Sequence, residues 1–263
     1  MRLAAFAAAL VLCGGATAAG AATLTACGHP AYPPVSWVTQ GELRGLAPEV
    51  VRRLFGALGH EVRTEPVGNW KRCLLEVKEG RIDIVVAAYR TIEREQRLAF
   101  SAEPLVADPI VLFVRRDRQF PFAKWSDLEG KTVGLMLGDS FGERFDRFAE
   151  AHLRVERVSS SLQNVRKLVL GRIDFMPVGL RTWSLQEQRL GDANEIARLP
   201  QALVTEHYYI AVRRGSRLEP LLAEIDRGLR AMHQDGSLQR LEELHAGRYL
   251  AEQAEAGSNE TAR

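Results

Sequence analysis

The chain is poor in the residues that mark most chemistries. Three cysteines and six histidines are spread over 263 residues, and no histidine pair stands at metal-ligand spacing, so neither a metal nor another cofactor is expected. An excess of either charge is missing: 35 Lys and Arg nearly balance 33 Asp and Glu. A net charge of +2 gives no basis for binding nucleic acid or an anionic membrane. No Ser-His-Asp order, no paired acids on one element and no glycine-rich phosphate loop stand out. Beyond the N-terminus no apolar run is long enough to span a membrane, which points to a soluble mature chain. What remains is 46% hydrophobic and 26% charged, ordinary for a globular protein, and long enough for one large domain or two small lobes.

The first residues have the order of a secretory signal. Met1-Arg2 is a short basic start, Leu3 to Cys13 is almost entirely apolar, and small residues follow with cleavage choices such as Ala19-Gly20-Ala21. Residues 1–22 are therefore expected to be removed on export to the periplasm. Bulky Leu12 before Cys13 argues against a lipid anchor. The mature chain keeps Cys27 and Cys73, which an oxidising compartment joins in one bridge, two buried thiols being the alternative.

The most telling stretch is Gly80 to Ser101. Ile82 to Ala88 is an apolar run of the kind that forms a fully buried strand. It delivers a polar cluster, Tyr89 to Arg94, to its C-terminal end, where open α/β sheets bind ligands. A guanidinium there can grip a carboxylate through two parallel hydrogen bonds. Such an arrangement holds a small anion or zwitterion rather than transforming it. The unit of helix, Gly-Arg-Ile-Asp, apolar strand and polar tip recurs at Gly171, which predicts two α/β lobes with related wiring. Between the units, strands and helices alternate. Pro48 to Leu58 has a helical stripe, Asn69 is placed to cap the next helix, and Lys131 to Leu137 is a strand. Pro177 is expected to make its strand irregular. Ala197 to Val204 reads as extended and loop-like, and residues 251–263, without apolar period, as a disordered tail.

These residues resemble the amino-acid type (family 3) of extracytoplasmic solute-binding proteins, the receptors of ABC importers. The likeness covers about Leu24 to Leu250. It is carried by Gly80, Asp83, Thr91, Arg94 and Phe100-Ser101, by Gly45 to Glu49, and by Asp127 to Gly134. The resemblance implies a two-lobed type II periplasmic binding fold. Residues 23–106 and 207–250 would form lobe 1 and residues 107–206 lobe 2, joined by two crossing strands with the ligand cleft between them. It implies that Arg94 grips the ligand carboxylate, with Thr91, Ala88 and Tyr89 beside it. Tyr32 or Trp37, and Trp70, would pack on the ligand's body, and Asp139, Ser140 and Phe141 would reach it from lobe 2. Relatives that bind α-amino acids carry an Asp where this chain has Gly179, and often Ser or Thr where it has Tyr89. Asp139 or Glu206 would replace the missing charge, or the ligand lacks an ammonium.

The expected function is thus capture of a small carboxylate-bearing solute by a monomer and its presentation to the membrane subunits of an ABC importer, without chemistry. Two alternatives stay open. One is a ligand-binding sensor. The other is a dehydratase acting on carboxylated rings of the prephenate or arogenate kind, with Glu206 or Asp139 as general acid. Several of the same residues have plainer roles: Thr91 and Asp139 as helix caps, Trp70 as core, and Phe141 as a core plug.

Overall fold

The computed structural model describes residues 23–187 and 193–261; the expected signal segment lies outside the described residues. In chain order the elements are β1 (Leu24–Cys27), β2 (Ala31–Tyr32), β3 (Ser36–Thr39), β4 (Glu42–Arg44), α1 (Leu46–Ala57), β5 (Val62–Thr64), α2 (Trp70–Lys78), β6 (Ile84–Ala88), α3 (Ile92–Glu95), β7 (Leu98–Phe100) and β8 (Val106–Arg115). There follow β9 (Thr132–Met136), α4 (Glu143–His152), β10 (Arg154–Val158), α5 (Ser161–Val169), β11 (Phe175–Gly179), α6 (Leu180–Gln186), β12 (Ile196–Arg213), α7 (Leu222–Gln234) and α8 (Ser237–Thr261).

The recurrent Gly-Arg-Ile-Asp units do the same structural work twice. Asp83 accepts from the Thr25 amide at 2.9 Å and returns its own amide to the Thr25 carbonyl. Asp174 accepts from the Thr132 amide at 2.7 Å and returns its amide to the Thr132 carbonyl. Each carboxylate thereby ties the strand it precedes to a parallel neighbour, β6 to β1 and β11 to β9. Residues Ile84 to Ala88 are buried throughout, as a strand covered on both faces must be.

The two halves share one path of strands, in the order β10-β9-β11-β8-β12-β6-β1-β5, with β7 also paired to β12. The central pair, β8 and β12, runs antiparallel from Val106↔Tyr208 to Ile196↔Arg115. These strands are the crossing strands of a two-lobed α/β fold. Parallel strands flanked by helices lie on either side of them, and the strand ends face a common cleft.

Three expectations need correction. The stretch Ala197 to Val204 is extended, as expected, but not loop-like: one 18-residue strand runs through it, paired to β8 with register shifts between Arg198, Ala202 and Val204. An available partner strand overrides the weak alternation of the sequence. The register through Pro177 has no break, since Pro177 pairs Leu112. The β9 side pairs only as far as Phe175, so the missing amide costs no ladder bond there. Residues 251–261 are not a disordered tail but the end of α8. Glu252 is fixed there by Trp37 Nε1 at 2.9 Å and by Arg44 at 2.8 Å. Polar ties of this kind leave no apolar period to read. The alternation of strands and helices also leads one to expect a helix over Leu180 to Arg189; it runs as α6 to Gln186, and residues 188 and 189 lie outside the described residues.

Cys27 and Cys73 form a disulfide with a Cα–Cα distance of 5.8 Å, linking β1 to α2. Both sit in a small apolar cluster with Trp70, Val77, Val85 and Ala211. Among the described residues no helix is long and apolar enough to cross a membrane.

Candidate functional site in the cleft

Arg94 is the cation of the cleft. Thr91 caps α3 by accepting from the Arg94 amide, which fixes the first turn and aims the Arg94 side chain back toward the end of β6. There Nη1 donates to the Tyr89 carbonyl at 2.7 Å. Nη2 donates to the Gly138 carbonyl at 2.9 Å, on the far side of the cleft. The guanidinium lies 5.7 Å from the centroid of Trp70, the first residue of α2. Asn69 caps that helix by accepting from the Arg72 amide. Burial pushes the Arg94 pKa down, with the nearby Asp139 carboxylate opposing, but a guanidinium stays charged.

Around it stand His29, Tyr32, Trp70, Ala88, Tyr89, Asp139, Ser140 and Tyr208, enclosing a cavity of about 20 Å³. Tyr32 donates to Asp139 Oδ2 at 3.1 Å, and His29 Nε2 lies 3.4 Å from Asp139 Oδ1. His29 packs edge-on against Tyr32, with ring centroids 4.2 Å apart. Tyr89 donates to Asp108 Oδ2 at 2.6 Å, and its hydroxyl lies 3.1 Å from that of Tyr208. Burial raises the pKa of both phenols and of the Asp108 carboxyl; the tyrosine hydrogen bonds oppose the shift at Asp108.

Asp108 also accounts for Gly179. A Cβ at position 179 would lie 2.5 Å from Asp108 Oδ2, so the carboxylate fills the space that any side chain there would need. A buried carboxylate on β8 therefore stands directly beside the end of β11. The sequence concealed it, because Asp108 stands beside Pro109 at the start of a long strand and belongs to no motif.

Several predicted residues fall elsewhere. Trp37 does not face the cleft: it packs on Tyr249 and His245 of α8, with ring centroids 5.3 and 6.1 Å away. Phe141 is fully buried in the main core near Phe145, so of its two readings the core plug holds. Thr91 acts as a cap on the outer side of Arg94. Asp139 is not a cap, because α4 begins at Gly142 without a side-chain cap. Glu206 lies against Gly142, where a Cβ would come 2.0 Å from Oε1, and does not line the Arg94 cavity. Burial and then Asp146 raise the pKa of its carboxyl. Sequence reasoning missed His29, Asp108 and Tyr208 as members of the cluster. Among the described residues no group of three or more His, Cys, Asp or Glu is placed to hold a metal.

A crossing-strand pair, two lobes and a cation in the cleft between them define a type II periplasmic binding fold. The chain belongs to the bacterial extracellular solute-binding proteins, family 3, whose model matches residues 24–248. It is 27% identical over 218 residues to the L-cystine-binding protein TcyJ of Escherichia coli K12, covering 82% of this chain and 79% of that protein. Among solved structures it is similar to an ancestral arginine-binding protein bound to arginine, at 25% identity and a TM-score of 0.70, covering 84% of this chain and 96% of the other. A histidine kinase sensor domain described as similar to periplasmic binding proteins shares the fold, at 22% identity and a TM-score of 0.70, covering 83% and 93% of the two chains.

Proposed function

We propose that this protein captures a small carboxylate-bearing solute, an amino acid or a close relative, and hands it unaltered to the membrane subunits of an ABC importer from the periplasm. In this reading residues 23–106 and 207–250 form one lobe, residues 107–206 the other, and the monomer is the working unit. Arg94 is the carboxylate clamp, Tyr32 and Trp70 are the walls, and Asp139 and Ser140 close from the second lobe. The observation that carries it is the state of Arg94. Among the described residues this half-buried guanidinium has no carboxylate in ion-pair contact and only two carbonyl partners, one from each side of the cleft. A cation held partly out of water without a counter-ion is costly, and an acidic guest offsets that cost. The likeness to a cystine-binding and an arginine-binding protein supports an amino acid as the guest.

The lobes are closed on one another. The cavity beside Arg94, at about 20 Å³, holds a water but not an amino acid. Arg94, Asp139 and Ser140 also line a larger space of about 610 Å³ on the outer side of the cleft, so it is the inner chamber beside Tyr32 and Trp70 that requires the lobes to part, breaking Arg94–Gly138 and Tyr32–Asp139, before they close on the solute. Thermal melting with a panel of amino acids and their deaminated analogues tests the reading. A rise in melting temperature for at least one carboxylate, lost in Arg94→Ala, is expected, and mass spectrometry should recover that compound unchanged. Absence of a rise for every carboxylate, or an undiminished rise in the variant, overturns it.

A further inference from the structure

A second chamber lies on the other side of Tyr32 and Asp139 from Arg94. Both residues line both spaces, so the hydrogen-bonded Tyr32–Asp139 pair forms a partition that the two chambers share. The second, about 30 Å³ in the closed lobes, is walled by Met136, Val165, Met176, Val178 and Trp183, with Asn164 among them. Its walls carry no basic side chain, and Asp139 at the junction is its only acid. Trp183 is stacked on Phe113 at 3.9 Å between centroids, which fixes that wall. Met136 and Met176 are unbranched and polarisable, so their side of the chamber can adapt to an occupant.

Ser161, Thr182 and Gln186 also line the chamber, but Thr182 and Gln186 spend their donors on the Pro33 and Ala31 carbonyls, whereas Asn164 does not. Asn164 is 4% exposed, and its Oδ1 is buried with no hydrogen-bond partner. Nine-tenths of buried polar groups have a partner, so an orphan acceptor at the wall of a cavity calls for an explanation.

We propose that this chamber receives the solute's side chain and selects amino acids whose side chain is uncharged and largely apolar. The proposal rests on the carboxylate clamp assigned to Arg94. With the carboxylate there, the α-ammonium falls beside Asp139 and the side chain points past Tyr32 into the chamber. Asp139 then supplies the acid that Gly179 lacks. A cationic or anionic side chain would lose its hydration against methionines, valines and tryptophan and gain no counter-ion at the chamber's end. An uncharged side chain pays no such penalty, and one bearing an N–H or O–H satisfies Asn164.

The test is calorimetry or melting with methionine, leucine, glutamine, arginine and glutamate on wild type, Asn164→Asp and Asn164→Leu. In wild type, methionine, leucine or glutamine should bind at least tenfold more tightly than arginine and glutamate. Asn164→Asp keeps the side chain's shape and puts a charge in the chamber, so the arginine-to-methionine affinity ratio should rise at least tenfold. Asn164→Leu should keep methionine and leucine and lose any advantage of glutamine. Arginine or glutamate within threefold of the best uncharged ligand in wild type, or a ratio unmoved by Asn164→Asp, overturns the proposal while leaving the Arg94 clamp standing. If Asn164→Asp does not fold, the wild-type ranking and Asn164→Leu decide alone. Failure of all five amino acids to bind overturns this proposal and leaves the clamp to the wider carboxylate panel, and retained binding in Arg94→Ala removes the clamp first.

Discussion

The Arg94 guanidinium and the Gly138 carbonyl meet at 2.9 Å across the cleft, so the cation proposed as the clamp also holds the lobes together. A solute carboxylate must compete with a neutral carbonyl for the same donor, and a charged acceptor wins that competition. Capture and closure therefore draw on one side chain.

Replacing Arg94 separates the two roles. Arg94→Ala should abolish ligand-induced stabilisation. It also removes two charge-assisted hydrogen bonds to carbonyls, each worth roughly 1.5–3 kcal/mol, while relieving the desolvation of a partly buried cation. The ligand-free melting temperature should therefore shift by a few degrees at most, with the circular dichroism spectrum unchanged. Arg94→Lys keeps the charge but not the fork, and should bind with at least tenfold weaker affinity.

Tyr32→Phe tests the other bond across the cleft. It deletes the hydroxyl that donates to Asp139 at 3.1 Å and leaves the ring that packs on His29. About 1 kcal/mol of closure should be lost. Small-angle scattering should show a larger radius of gyration without ligand and recovery with it. An unchanged ligand-free radius would mean that this hydrogen bond does not govern closure.

Gly179 and Asp108 should behave as a coupled pair. Gly179→Ala places a methyl against a buried carboxylate and should destabilise by roughly 1–3 kcal/mol, the cost of overpacking. Gly179→Asp adds a second buried acid and should do worse. Combining Gly179→Asp with Asp108→Gly should restore much of the stability, because one acid then occupies the space and room is made for it. Additive losses in the denaturation midpoints would break the link.

How far the sequence foretold this arrangement depended on whether a residue's environment was local. Arg94 was legible because Thr91, the end of β6 and the following turn place it within a few residues of chain. The Cys27–Cys73 bridge was legible because compartment and count left one pairing. Asp108 and Asn164 were not, since each acquires its surroundings from strands or helices far along the chain. Trp37 was misplaced for the same reason: the helix that covers it begins 200 residues later, at Ser237. A run of charged and small residues after Leu250 gave no sign that Glu252 would reach back to Trp37 and Arg44.

The disulfide closes a separation of 46 residues, for which chain entropy gives about 4 kcal/mol. Cys73→Ala should therefore lower stability markedly in oxidising buffer and little relative to wild type that has been reduced. Denaturant titrations under both conditions provide the comparison. Equal losses in the two buffers would assign the effect to packing of Cys73 beside Trp70 and not to the bridge.

His245 makes the last prediction, and its sign can be worked out. The ring is buried against Trp37, with Glu49 and the arginines 52, 53 and 248 nearby. Burial first, then Arg248, lowers its pKa from 6.5 to about 4, with Glu49 opposing. Between those two values the unfolded chain binds the proton and the folded chain does not, so stability rises with pH across that window. The contribution is complete above pH 6.5 and falls by up to about 3 kcal/mol as pH drops toward 4. The carboxyls of Asp108, Asp146 and Glu206, whose pKa values burial raises, act in the opposite sense, so wild type alone mixes the two. The difference between wild type and His245→Gln isolates the histidine. That variant should have a flatter stability profile from pH 6.5 to 4, and its stability should approach or exceed that of wild type at the acid end. Parallel profiles for the two proteins would mean that His245 accepts its proton in the folded state.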